Sequence, residues 1–196
     1  MTFQTIAEAI RLLNDGAIGV LPTDTVYGVV ARAEDPVAVT RLYALKHRER
    51  KPGPIIAASV EQLLALGFNA SMLAKVAHLW PASLSVVVPA SHDMTYLDQG
   101  VGDQPLRIPH DATIRALLEQ TGPLLTSSAN QPGEPTAETI AQAYDYFHDT
   151  VDFYVDGGTL AGRAPSTIVR VDDHGSITVL RDGAVTITQT QLTPDL

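Results

Sequence analysis

Short apolar runs alternate with amphipathic segments along this chain, and each run tends to end in a polar turn. That pattern constrains the fold more than any other feature, because the two periodicities together demand a sheet covered by helices. Thr5 followed by Ile6, Ala9, Ile10 and Leu13, with Gly16 beyond, predicts a capped helix that stops on a glycine. Residues 17–21 predict a buried strand closed by Pro22, and a second apolar stretch opens at Val29. Helix is expected over 36–46, where proline suits the first turn, over 71–79, from Asp111 to just before Gly122, and over 136–147. Ser59 with Gln62 three positions later predicts a capping box. Further strands are expected at 55–58, 84–88, 106–108, 124–126 and 153–155, and a hairpin at 167–171 and 177–180 across a turn at Asp172, Asp173, His174 and Gly175. The expectation is an α/β (α+β) fold, a mixed twisted sheet with flanking helices. It forms one domain over 1–196, with its core in about 6–185 and a polar tail that frays from Thr186.

The charge of this chain narrows its partners. A formal net charge of −9 opposes the counterion release that drives non-specific nucleic-acid binding, so no strong direct binding to RNA is expected. Yet five of the thirteen Lys and Arg residues (Arg41, Lys46, Arg48, Arg50, Lys51) fall within one short segment, which allows a local anion site in an acidic protein. With no cysteine there is neither a disulfide framework nor a thiolate metal site. No apolar run reaches the roughly 18 residues that a membrane span needs, and the N-terminus lacks a basic start, so a cytoplasmic protein is expected.

Four polar segments stand where apolar strands end, the usual place for binding loops on a sheet. They are Pro22 to Gly28, Lys46 to Pro52, Thr126 to Asn130 with Gly133 and Thr136, and Ala164 to Val169 together with Arg181 to Gly183. Taken singly, each has an ordinary structural explanation in turn, helix-end or cap chemistry. The six histidines lack zinc-ligand spacing, and neither a Gly-x-Ser-x-Gly elbow nor a Walker-type loop is present. Trp80 reads as core packing at a helix end.

In this order and spacing the segments resemble the YrdC-like threonylcarbamoyl-AMP synthases. The Pro22-Thr23-Asp24-Thr25-Val26-Tyr27-Gly28 run, Lys46-x-Arg48, Trp80-Pro81, Arg107-Ile108-Pro109, Thr126-Ser127-Ser128-Ala129-Asn130, Ser166-Thr167-Ile168-Val169 and Arg181-x-Gly183 carry the likeness. The resemblance implies a deep cavity over the sheet that holds ATP beside L-threonine, in a short, single-domain form. It implies that Thr25, Arg107, Thr126 and Ser166 hold threonine, and that Arg48, Ser128, Asn130, Thr136 and Arg181 contact ATP. Lys46 and Arg48 become the catalytic candidates, with Mg2+ expected on the phosphates and no protein metal site. The implied reaction joins threonine, bicarbonate or CO2, and ATP into threonylcarbamoyl-AMP, for hand-off to proteins that modify tRNA.

The sequence departs from the family pattern at Ala82 and Ser83, at Pro52 with Lys51 before it, at Gln131-Pro132, and at Asp103, where a hydroxyl would suit a phosphate better. Two alternatives stay open on residues alone: a divergent relative that binds and slowly hydrolyses ATP, and an RNA-binding, translation-associated protein.

Overall fold

A computed structural model of the chain describes residues 3–90, 92–172 and 176–187, so the expected hairpin turn at 173–175 and the tail from 188 lie outside the described residues. Helix α1 (Ile6–Asn14) begins at a reciprocal capping box, in which Thr5 accepts from Glu8 N while the Glu8 carboxylate accepts from Thr5 N. Helix α2 (Pro36–Leu45) starts where Asp35 accepts from the N–H groups of Val37 and Ala38, with Pro36 in its first turn. The remaining helices are α3 (Val60–Ala65), α4 (Ala70–Val76), α5 (Thr95–Asp98), α6 (Ala112–Thr121) and α7 (Ile140–Phe147). The strands are β1 (Gly19–Pro22), β2 (Tyr27–Arg32), β3 (Ile55–Ile56), β4 (Leu84–Pro89), β5 (Asp103–Arg107), β6 (Leu124–Ser128), β7 (Phe153–Tyr154), β8 (Thr167–Val171) and β9 (Ile177–Arg181).

These strands make one mixed sheet in the order β7-β1-β2-β6-β3-β5-β4-β8-β9. Strand β6 is the seam: it pairs antiparallel with β2 through Val30↔Thr126 and with β3 through Ile55↔Leu125. Successive side chains point to opposite faces, so alternate residues feed two cores. Tyr27, Val29 and Ala31 join Leu42, Phe147 and Val86 in the larger one. Val30 and Leu124 join Leu13, Leu117 and Phe153 in the smaller one, under α1 and α6. Burial on both faces explains why these strands read as continuous apolar runs.

Several expected boundaries shift, each for a tertiary reason. The capping box at Ser59 does not form, because Gln62 uses its oxygen on Ala58 N and its amide N–H on Leu118 O, which ties α3 to α6. Helix α7 starts at Ile140 and not at Thr136, with the capping box between Thr139 and Gln142. Residues before it fold into a loop, where Ala137 N donates to Ala129 O. The strand expected at 106–108 begins earlier, at Asp103, and α5 was not anticipated at all. Trp80 is buried, with its indole N–H donating to Leu84 O at 2.8 Å. Val185 and Ile187 pack against the larger core, and the rest of the polar tail expected to fray lies outside the described residues. No helix among the described residues is long and apolar enough to cross a membrane.

Candidate active site

The turn between β1 and β2 is built by hydroxyls. Thr23 Oγ1 donates to Val26 O at 2.7 Å and accepts from Thr25 N at 3.2 Å, a local substitute for backbone pairing that leaves Thr23, Asp24 and Thr25 buried at the sheet's end. Gly28 follows, and a Cβ there would lie 2.7 Å from Thr126 Oγ1, so only glycine lets β2 and β6 present their ends side by side. From neighbouring strand ends come Thr126 and Ser128 on β6, Arg107 on β5, Ser166 just before β8 and Arg181 at the end of β9. A β-bulge at Ile168 and Val169 shifts the β8–β9 register next to Arg181. Gly183 lets the chain pass close behind, since a Cβ would sit 2.3 Å from Pro165 O. Together with Arg48 these residues line a cleft with an empty volume of about 410 Å³.

Arg107 is 2% exposed and in ionic contact with the equally buried Asp24 at 3.0 Å. Its Nη1 donates to Thr25 Oγ1 at 3.2 Å, and Ser83 Oγ donates to Asp24 Oδ2 at 2.9 Å. Ionic contact is not full hydrogen bonding, however: Asp24 Oδ1 and Arg107 Nε have no hydrogen-bond partner. Across the cleft, Arg181 donates to Ser166 O at 2.6 Å and to Ser166 Oγ at 3.1 Å, while Ser166 Oγ also meets Ser85 Oγ at 3.0 Å. Burial pushes the Arg181 guanidinium below its ordinary value, and the nearby charges of Arg48 and Arg107 push it the same way. Burial lowers Arg48 too, and among the described residues no carboxylate lines the cleft. Arg181 within electrostatic reach of Arg48 and Arg107, with the buried hydroxyls of Thr25, Thr126 and Ser166 nearby, gives a site chemically suited to anionic ligands.

A second, wider cleft of about 690 Å³ shares Arg48 and Ser128 with the first and adds Lys46, His47, Lys51, Asn130, Pro132 and Gly133, with Glu49 as its one carboxylate among the described residues. Lys46 follows the last residue of α2 and points inward: Nζ donates to Ser128 O at 2.8 Å, to Asn130 Oδ1 at 3.2 Å, and to Asn130 O. All three protons therefore hold the 128–130 turn, in which Ser128 Oγ also donates to Asn130 Oδ1 at 2.7 Å. Burial, with some repulsion from Arg48, lowers the Lys46 ammonium to about 8.

The structure thus brings Thr25, Arg48, Arg107, Thr126, Ser128, Ser166 and Arg181 to one cleft, and Lys46 and Asn130 to its outer extension. Thr136 is not among them; it lines a separate cleft with Glu138, Asp145 and Tyr146, because the 129–139 loop carries it past the site. Asp103 does not stand beside an anion site either, as it pairs with Arg170 at 2.7 Å. Lys51, one step before Pro52, lines the outer cleft. Sequence reasoning gave no role to Asp24, although it lies inside the first motif, and Ser83 registered merely as a departure; Ser85 sits in a plain strand and left no signal. Among the described residues no group of three or more His, Asp or Glu gathers as a metal cage.

A mixed sheet whose strand ends bring Arg107, Arg181 and a set of hydroxyls together with Arg48 at one cleft defines an α/β protein with a cationic, hydroxyl-lined site at one end of its sheet. The Sua5/YciO/YrdC family model, described as "Telomere recombination", matches residues 11–183, and the chain belongs to that family. It is 33% identical to a threonylcarbamoyl-AMP synthase from Pseudomonas aeruginosa, over 83% of this chain and 89% of that protein. Among solved structures it is similar to P. abyssi Sua5 complexed with L-threonine, with a TM-score of 0.79 and 30% identity over 91% of this chain and 54% of that one. This chain therefore spans about half of the P. abyssi protein. E. coli YciO shares the fold, with a TM-score of 0.77 at 23% identity over 91% of this chain and 88% of that one.

Proposed function

We propose that this protein is an L-threonylcarbamoyladenylate synthase, a nucleotidyltransferase that makes threonylcarbamoyl-AMP and pyrophosphate from L-threonine, bicarbonate or CO2, and ATP. The observation that carries this reading is the crowding of Arg48, Arg107 and Arg181 round a cleft whose lining, among the described residues, holds no carboxylate. Similarity to the Pseudomonas synthase and to a Sua5 that holds L-threonine supports the choice of substrates.

In this reading the buried, unpartnered Nε of Arg107 takes the threonine carboxylate, with Thr25, Thr126 and Ser166 around the amino acid. Arg48, Ser128, Asn130 and Arg181 face the nucleotide, and Lys46 holds the turn that carries two of them. The threonine ammonium first loses a proton to solvent; its free amine then bonds to the carbon of CO2 and releases a second proton to solvent, leaving a carbamate. A carbamate oxygen then attacks the α-phosphorus, and pyrophosphate departs with the electron pair of the broken P–O bond. Binding both partners together and offsetting negative charge as it builds is the work that fixed guanidiniums perform. Magnesium would enter as part of the substrate MgATP and would offset charge on its phosphates. The product passes to proteins that place it on tRNA as threonylcarbamoyladenosine, in the cytoplasm, and the net charge of −9 suits a protein that does not hold the tRNA itself.

The test is pyrophosphate release from ATP with threonine and bicarbonate each supplied and each omitted. Release that needs both is the expected result. Phosphate release indifferent to threonine would instead mark a slow ATP hydrolase.

A further inference from the structure

Residues 46–54 join α2 to β3 and carry Lys46, Arg48 and Lys51, with Glu49 between the last two, into the outer cleft. Both ends of the loop are anchored. His47 N donates to Ala44 O and Arg48 N to Tyr43 O, each at 3.1 Å. At the far end Gly53 N donates to Tyr43 Oη at 3.2 Å and Gly53 O accepts from Gln104 Nε2 at 2.5 Å. Between these anchors, Arg48 and Lys51 stand as first and fourth residues of a turn, whose usual closing bond runs from the first C=O to the fourth N–H.

Here the side-chain amide of Gln99 takes both groups. Its Nε2 donates to Arg48 O at 2.7 Å, and its Oε1 accepts from Lys51 N at 2.7 Å. A primary amide offers a donor and an acceptor side by side without charge, so one side chain satisfies a carbonyl and an N–H at once. The turn it closes is not one its own residues favour: Arg50 sits at φ 49°, a region uncommon for residues other than glycine. Gln99 follows α5, is itself half-buried, and lines a cleft with Tyr43, His47 and Arg48.

From these contacts we infer that Gln99 is a positioning residue that holds the Arg48–Lys51 turn in the shape that aims both cations at one polyphosphate in the outer cleft. The inference deepens the nucleotide-binding part of the function proposed above and rests on it. Gln99 touches no reacting atom; it acts through Arg48 and Lys51.

Gln99→Met keeps the length of the side chain and removes both bonds. Calorimetric titration of the intact protein with inorganic tripolyphosphate, and separately with L-threonine, tests the idea. Tripolyphosphate affinity is expected to fall about tenfold in the variant while threonine affinity stays within about twofold. The Lys51 amide is expected to exchange hydrogen faster, with the unfolding midpoint little changed. Unchanged tripolyphosphate affinity, an equal loss for threonine, or a wild-type protein that does not bind tripolyphosphate would each overturn it. Where the Met variant does not fold, Gln99→Asn serves, because its shorter side chain cannot span both groups. If pyrophosphate release proves independent of threonine while the tripolyphosphate loss is seen, the synthase reading fails and the role of Gln99 stands.

Discussion

Arg107 sits almost wholly out of water against one carboxylate, and that carboxylate is itself oriented by Ser83, a residue that departs from the family pattern. Breaking such a pair from one side leaves an uncompensated buried charge. Asp24→Ala is therefore expected to cost about 3–5 kcal/mol of stability in urea titration and to weaken threonine more than ATP. Lys46 makes the opposite demand, because burial lowers its ammonium to about 8 from an ordinary 10.5. Between those values the unfolded chain holds the proton and the folded chain does not, so this group makes stability rise with pH across that window. Below it the buried charge is a standing cost. The cation in the outer cleft is lost over the same rise, so ATP affinity is expected to fall as pH climbs through about 8. Lys46→Met should bind ATP more weakly with that pH dependence gone, as titrations from pH 7 to pH 9.5 would show.

At the scale of elements, local chemistry succeeds where a side chain has nothing better to bond. Thr5 and Thr139 both close capping boxes, whereas Ser59 makes no cap bond, its hydroxyl bonding the Glu61 carboxylate while the Gln62 side chain bonds Ala58 and Leu118. Thr139→Ala is expected to cost about 1 kcal/mol, and Ser59→Ala to stay within about 0.5 kcal/mol, both read by thermal unfolding. The motifs at Thr25, Arg48, Arg107, Thr126, Ser128, Ser166 and Arg181 were legible because each is a short run at a strand or helix end. Thr136 misled for a definite reason: spacing along a loop says little about direction, and this loop folds back through Ala137 and Ala129 before α7 begins. Helix α5 escaped notice because it is only four residues long, too short for periodicity to register.

Across the whole molecule, strands distant in sequence are interleaved, with β6 joining β2 to β3 and β8 lying beside β4. A fragment ending at Gly122 would carry β1 to β5 but lack the seam between its two halves. Near-UV circular dichroism is expected to show no fixed tertiary packing for it, while the full chain unfolds in one transition. Apolar alternation and turn residues by themselves determined that strands and helices would form a covered mixed sheet with polar loops at its strand ends, since those preferences act between near neighbours. The tertiary structure alone decided that Asp24, Ser83, Ser85 and Gln99 support the site and that Thr136 and Asp103 stand away from it. A side chain's bonding partner is chosen by which distant groups packing brings within about 3 Å, and no local pattern encodes that distance.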